Sequence, residues 1–258
     1  MVLGAMTGFA PMVGSQTQAD LAKYIVGTEK SGYVYATPPT RAMQDDDFEN
    51  PGSLWVDKGK ALWNAPQGTS GQSCASCHNA AEKSMKGVGA TYPKFDAKSG
   101  HVIDLEQRIG LEQARMGAKP WPWESEQLLA MTTYVKTQSR GMPMNVSIDG
   151  PARATYEAGK TFYTARRGQL DMSCAMCHVN NNNRLLRTEV LSQGQTNGFP
   201  TYRLSWQTLG SVERRFRECN QQIRAEPLAY GSPEYVAVEL YLASNGKGLP
   251  VETPSVRK

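Results

Sequence analysis

Two five-residue segments carry the most specific chemistry in the chain: Cys74-Ala-Ser-Cys77-His78 and Cys174-Ala-Met-Cys177-His178. Two thiols separated by two residues and followed at once by a histidine match c-type haem attachment. Both sulfurs add to the porphyrin vinyl groups, and the imidazole takes the proximal position on iron. A four-cysteine zinc site or a pair of redox dithiols would use the same thiols but gives no reason for a histidine after each pair. The doubled motif predicts two covalently attached haems c, held by Cys74, Cys77, Cys174 and Cys177, with His78 and His178 as proximal ligands. Thioether formation needs reduced thiols on an exported chain, so the expected setting is the bacterial periplasm.

The distal side of each iron decides whether the chain is a wire or an enzyme. In the second half no methionine follows Met176 and no histidine follows His178, so the fifth cysteine, Cys219, is the soft ligand left. It lies in VERRFRECNQQI, a predicted helix on which Val212, Arg215 or Phe216, Cys219 and Ile223 share one face. Arg215, one turn earlier, presents a guanidinium beside the sulfur, and Arg224 and Arg217 add positive charge suited to a small divalent oxoanion. The alternatives are a structural cysteine with the iron five-coordinate or lysine-bound, a solvated Arg217, and an Arg224 paired with Glu226. In the first half, Glu112 stands where Cys219 stands in the second. Met116, one turn further on, is the preferred distal ligand there, with His101 and Glu112 as alternatives.

These residues recur because the chain repeats. At an offset of 100, Gly59-Lys60 matches Gly159-Lys160, Trp63 matches Tyr163, Gly68 matches Gly168 and Ser73 matches Ser173. At an offset of 107, Leu105-Glu106-Gln107-Arg108-Ile109 lies against Val212-Glu213-Arg214-Arg215-Phe216, Ser125 against Ser232, and Tyr134 against Tyr241. The difference places a seven-residue insertion after the second motif, around Asn180 to Asn183. The expected fold is mainly α: two tandem cytochrome c-type domains, 54–148 and 149–258, related by internal duplication. Each has a helix before the motif (54–64, 153–165), a middle helix (103–115, 210–223) and a closing helix (124–138, 232–244). Residues 20–53 form an N-terminal extension that wraps the domains or meets a partner, and residues 1–19 a possible partial signal segment without a basic start. The formal charge of +4 over 258 residues excludes a nucleic-acid binder driven by bulk charge. No apolar run approaches the roughly 18 residues of a membrane span.

With these residues in place, the chain resembles the SoxA family, the subunit of the SoxAX cytochromes of bacterial sulfur oxidation. The resemblance covers nearly all of residues 31–258. Besides both haem motifs it is carried by Arg41-Ala42-Met43-Gln44-Asp45-Asp46-Asp47, Ser139-Arg140-Gly141-Met142-Pro143, Ser192-Gln193-Gly194, Arg224-Ala225-Glu226-Pro227 and Gly231-Ser232-Pro233-Glu234-Tyr235. It implies that Cys219 is the active-site cysteine, a haem ligand able to carry an extra sulfur as a persulfide, with Arg215 beside it. It further implies an L-cysteine S-thiosulfotransferase: thiosulfate is coupled oxidatively to a cysteine of the carrier SoxYZ, and electrons leave through haem to a monohaem SoxX-type cytochrome in a heterodimer. Arg215 and Arg224, with Lys247, would then hold the sulfonate end of thiosulfate. Glu112 departs from the family, whose two-haem members usually supply a second cysteine there. The competing functions are a tetrathionate-forming thiosulfate dehydrogenase and a non-catalytic dihaem electron carrier.

Overall fold

Serine and aspartate punctuate the helices, accepting hydrogen bonds from first-turn N–H groups that have no intrahelical partner. The computed structural model describes residues 18–258, so residues 1–17 of the possible signal segment lie outside the described residues. Helix α1 (Ser53–Asn64) leads to α2 (Cys74–His78), whose start is capped by Ser73. A short antiparallel hairpin, β1 (Lys94–Asp96) with β2 (His101–Ile103), then feeds α3 (Leu105–Arg115), capped by Asp104. Helix α4 (Glu126–Thr137), capped by Ser125, follows.

The same sequence of elements then returns. Helix α5 (Arg153–Thr164), α6 (Cys174–His178) capped by Ser173, β3 (Thr201–Arg203) with β4 (Thr208–Gly210), α7 (Val212–Gln222) capped by Ser211, and α8 (Pro233–Asn245) capped by Ser232 follow in order. The strand β5 (Ser255–Arg257) adds in parallel to β3, giving a three-stranded sheet of order β4-β3-β5. The expected helices stand within two residues of their predicted ends. The two hairpins were not expected; the stretches 103–104 and 210–211, read as helix starts, are the strand ends and caps that precede the helices.

Paired helices frame each attachment motif, α1 against α4 and α5 against α8. Both crossings depend on glycine: a Cβ at Gly59 would stand 2.2 Å from the Ala130 carbonyl oxygen, and one at Gly159 would stand 2.0 Å from that of Ala237. The apolar side chains segregate into three clusters. One surrounds Trp63, Tyr92, Leu128, Met131 and Tyr134 and packs on Cys74, and another joins Tyr163, Tyr235, Val238 and Leu242 to Cys174 and Phe216. The third, with Val102, Met144, Val236, Leu240 and Val251, knits the two halves together.

The extension folds back onto the C-terminal segment. Glu252, 4% exposed, accepts hydrogen bonds from Gln44, Asn197, Arg257 and Ser31, and Asn50 donates to the Pro254 carbonyl at 2.9 Å. Among the described residues no helix is long and apolar enough to cross a membrane.

Candidate functional site: the Cys219–His178 centre

Helix α6 delivers Cys174, Cys177 and His178 within a turn and a half, and the segment after it fixes the imidazole. The Nδ1 of His178 lies 2.8 Å from the Ser192 carbonyl oxygen, and the ring rests against Gly194. A carbonyl can only accept, so Nδ1 carries the proton and Nε2 keeps its lone pair, as a metal-binding histidine requires. The Ser192-Gln193-Gly194 segment thus sets the tautomer.

Cys219 comes to this ring from α7, within hydrogen-bond range of His178. Burial alone would raise the Cys219 thiol; the Arg215 guanidinium opposes it, and the thiol sits below its ordinary value. The first cysteine of each motif behaves oppositely, burial pushing Cys74 and Cys174 each up to about 11. All five cysteines are free. Cys219 is therefore set apart as the sulfur that the surroundings hold ready to ionise.

Arg215 is bracketed by charge. It pairs with Glu218 on its own helix, and despite burial the fields of Cys219 and Glu218 raise it further. Arg203, on β3, is pulled down first by burial and then by Arg215, and donates to Glu189 at 2.6 Å. Its Nε is buried without a hydrogen-bond partner. Glu218 is lowered against its own burial by Arg215, Arg203 and the Trp206 side chain. Sequence reading missed Arg203 and Trp206, which reach α7 from the unanticipated hairpin, and Glu189, on a short strand paired with Leu185–Leu186. On the flank of α7 a cavity of about 280 Å³ is lined by Trp206, Arg214, Arg217, Glu218, Gln221 and Tyr230. Arg217 is held there by the Leu228 carbonyl and stacks over Tyr230.

Arg224 and Lys247 are exposed, and neither is among the charges acting on Cys219. The structure brings together Cys219, Arg215 and His178, and not these two.

In the first half the same positions are furnished differently. His78 packs beside Trp63, ring centroids 5.9 Å apart. Glu112 acts on Cys74 as Cys219 acts on Cys174, and its carboxylate is tied to Arg115 at 2.7 and 2.8 Å and to Arg108 at 3.4 Å. Met116 is buried at the end of α3, with its carbonyl accepting from Ser70. His101 is exposed on β2, its backbone paired with Asp96. Both motifs fit a covalently held porphyrin: each puts its first cysteine against an apolar cluster and its histidine at the end of a capped turn.

Comparison with known proteins agrees with this geometry. Residues 58–144 match the family described as SoxA/TsdA, cytochrome c domain, which carries covalently bound haem c. An L-cysteine S-thiosulfotransferase subunit SoxA from Rhodovulum sulfidophilum is 47% identical over 229 residues, 88% of this chain and 80% of the relative. The SoxA subunit of Paracoccus pantotrophus is 44% identical, with 88% and 78% covered, and that of Chlorobaculum tepidum 36%, with 87% and 79% covered. The crystal structure of SoxXA from P. pantotrophus superposes with a TM-score of 0.87 at 44% identity, covering 93% of this chain and 90% of that one. With SoxA subunits this similar over most of its length, the chain belongs to the SoxA family.

Proposed function

We propose that this chain is the catalytic SoxA subunit of an L-cysteine S-thiosulfotransferase, coupling thiosulfate to a cysteine of a SoxYZ carrier. The observation that carries the proposal is Cys219 facing the His178 ring with the Arg215 guanidinium in its field. The reading comprises two tandem cytochrome c-type domains, 54–148 and 149–258, behind the extension 20–53, each binding one haem c. The recurrence of caps, hairpins and glycine crossings at the sequence offsets supports the duplication. Cys74 and Cys77, and Cys174 and Cys177, would hold the two groups, with His78 and His178 proximal and Cys219 distal in the second. For the first, Glu112 faces the attachment helix from the position equivalent to Cys219, whereas Met116 and His101 stay as the other donors.

Haem, when bound, would supply a one-electron acceptor and a Lewis acid that keeps sulfur deprotonated. The chain's own residues do the rest. Cys219 offers a sulfur for a transient covalent link, and Arg215 draws the dianionic substrate to it through charge-assisted hydrogen bonds. Arg203 has a buried donor without a partner and stands close enough to share that anion. Arg224 and Lys247, exposed, would act on the substrate's approach. In the net reaction a sulfur–sulfur bond forms between the carrier cysteine and the outer sulfur of thiosulfate. The thiol S–H bond breaks, its proton goes to solvent, and two electrons leave, through a SoxX-type monohaem partner. Such an enzyme works in the periplasm.

Incubating the holoprotein and its partner with thiosulfate, with and without carrier, tests the function. A thiosulfonated carrier cysteine supports it, whereas tetrathionate formed equally well without carrier would make the chain a thiosulfate dehydrogenase.

A further inference from the structure

Away from the sulfur site, three acidic side chains converge where the two halves meet. Asp104 caps α3, Glu213 lies in the first turn of α7 and Glu239 lies in α8. One ligand oxygen from each lies within 4.8 Å of the other two, and the residues are 1%, 1% and 6% exposed. Asp104 Oδ1 accepts from the Gln107 N–H at 2.7 Å, and Glu213 Oε2 from the Gly231 N–H at 2.7 Å. Their second oxygens, Asp104 Oδ2 and Glu213 Oε1, are sealed from solvent and accept no hydrogen bond.

A buried carboxylate oxygen without a donor is unfavourable unless a proton or a cation meets it. Glu106 adds a fourth carboxylate to the same field, and Lys136 is the cation acting on Glu106 and Glu239. One lysine acting on two of these groups leaves the carboxylates of the cluster in excess of the positive charge beside them. One divalent ion meets both unpartnered oxygens and the Glu239 carboxylate at once. Calcium takes oxygen ligands at about 2.3–2.6 Å, so two oxygens on one ion stand up to about 5 Å apart, a span that contains the observed set. An all-oxygen, all-acidic donor set selects a hard ion over the softer transition metals.

We propose that Asp104, Glu213 and Glu239 bind a divalent cation of the calcium class, clamping α3 to α7 and α8. The ion ties the half bearing Glu112 to the helix that carries Cys219, through Glu213 six residues ahead of it. The repeat offset of 107 pairs Glu239 with Thr132, so the site needs a carboxylate that only the second half provides.

The test uses the holoprotein, treated with EDTA, dialysed and titrated calorimetrically with calcium chloride at pH 7, with melting followed in parallel. The expected result is one equivalent bound with a Kd below about 1 mM, accompanied by a higher Tm. Asp104→Asn keeps an oxygen able to cap α3, and Glu239→Gln keeps the side chain's shape; each weakens binding at least about tenfold with the haem spectrum unchanged. Absence of saturable binding of calcium or magnesium chloride to the wild-type holoprotein at that concentration overturns the proposal. Binding that both variants leave intact overturns it as well, by placing the ion elsewhere. Should a variant fail to fold, the wild-type titration decides.

Discussion

Replacing Arg215 by alanine removes the cation that holds Cys219 below its ordinary thiol value and, in the proposed reaction, the anion's main partner. Its side chain is only 23% exposed, so the field is poorly screened by solvent. Losing one preorganised donor to a developing or bound anion costs about 10²–10³ in rate, or about 2.7–4 kcal/mol. Arg203, itself depressed by burial and by Arg215, remains as a second cation, which places the expected loss near the lower end, about hundredfold. Arg215→Lys keeps the charge but not the fork and should lose about tenfold. The deletion also leaves Glu218 with Trp206 and Arg203 alone, so Arg215→Ala combined with Glu218→Gln is the control for an uncompensated carboxylate. The assay is steady-state thiosulfate coupling to carrier protein, normalised to haem content. A loss smaller than about threefold, or full recovery in the double variant, would refute the role assigned to Arg215.

Gly159→Ala tests the frame around the second motif. A contact at 2.0 Å must open by about 1.4 Å to reach ordinary distance, an overpacking cost of about 1–3 kcal/mol and a Tm lower by about 3–10 °C; an unchanged melting curve would contradict the crossing. The buried carboxylates predict a pH dependence in EDTA-treated protein. Burial pushes Glu213 up to about 9 and Glu239 up to about 8 from an unfolded value of 4.5, so the folded state binds more protons between those limits. Stability is then greatest below about pH 4.5 as far as these groups are concerned and falls as pH rises toward 9. Tm measured from pH 5 to 9 should drop, and Glu239→Gln should flatten the drop; a rising profile would contradict it. Finally, Glu112→Ala should leave thiosulfate coupling within about threefold while shifting the spectrum of the first haem if its carboxylate is that iron's donor; an unshifted spectrum hands the role to Met116 or His101.

What could be read in the sequence was whatever is local or periodic. The two CxxCH motifs are contiguous, the helices announce themselves by caps and apolar spacing, and the sequence offsets fall where the order of helices and hairpins recurs. Cys219 was legible by elimination, because the second half offers no other soft donor, and Arg215 by its place one turn away. The remainder depends on contacts between distant segments. The Ser192 carbonyl that orients His178 is backbone, and no residue type marks it. Arg203 and Trp206 meet Glu218 only because a hairpin too short to show strand alternation lays them beside α7. The Asp104, Glu213 and Glu239 convergence joins a cap to a first turn and a helix interior more than a hundred residues further along the chain, each ordinary alone. Arg224 and Lys247 stand out in the sequence only by charge, and the fold leaves both exposed.

The account rests on the sulfur of Cys219 doing chemistry rather than filling a coordination site. Cys219→Met keeps a soft donor of similar reach but cannot form a persulfide or thiosulfonate link. Rates of thiosulfate coupling to the carrier, measured for this variant with its haem content confirmed by mass, decide the matter. Coupling abolished in a fully haem-loaded variant is predicted, and coupling at the wild-type rate would contradict the enzyme assignment.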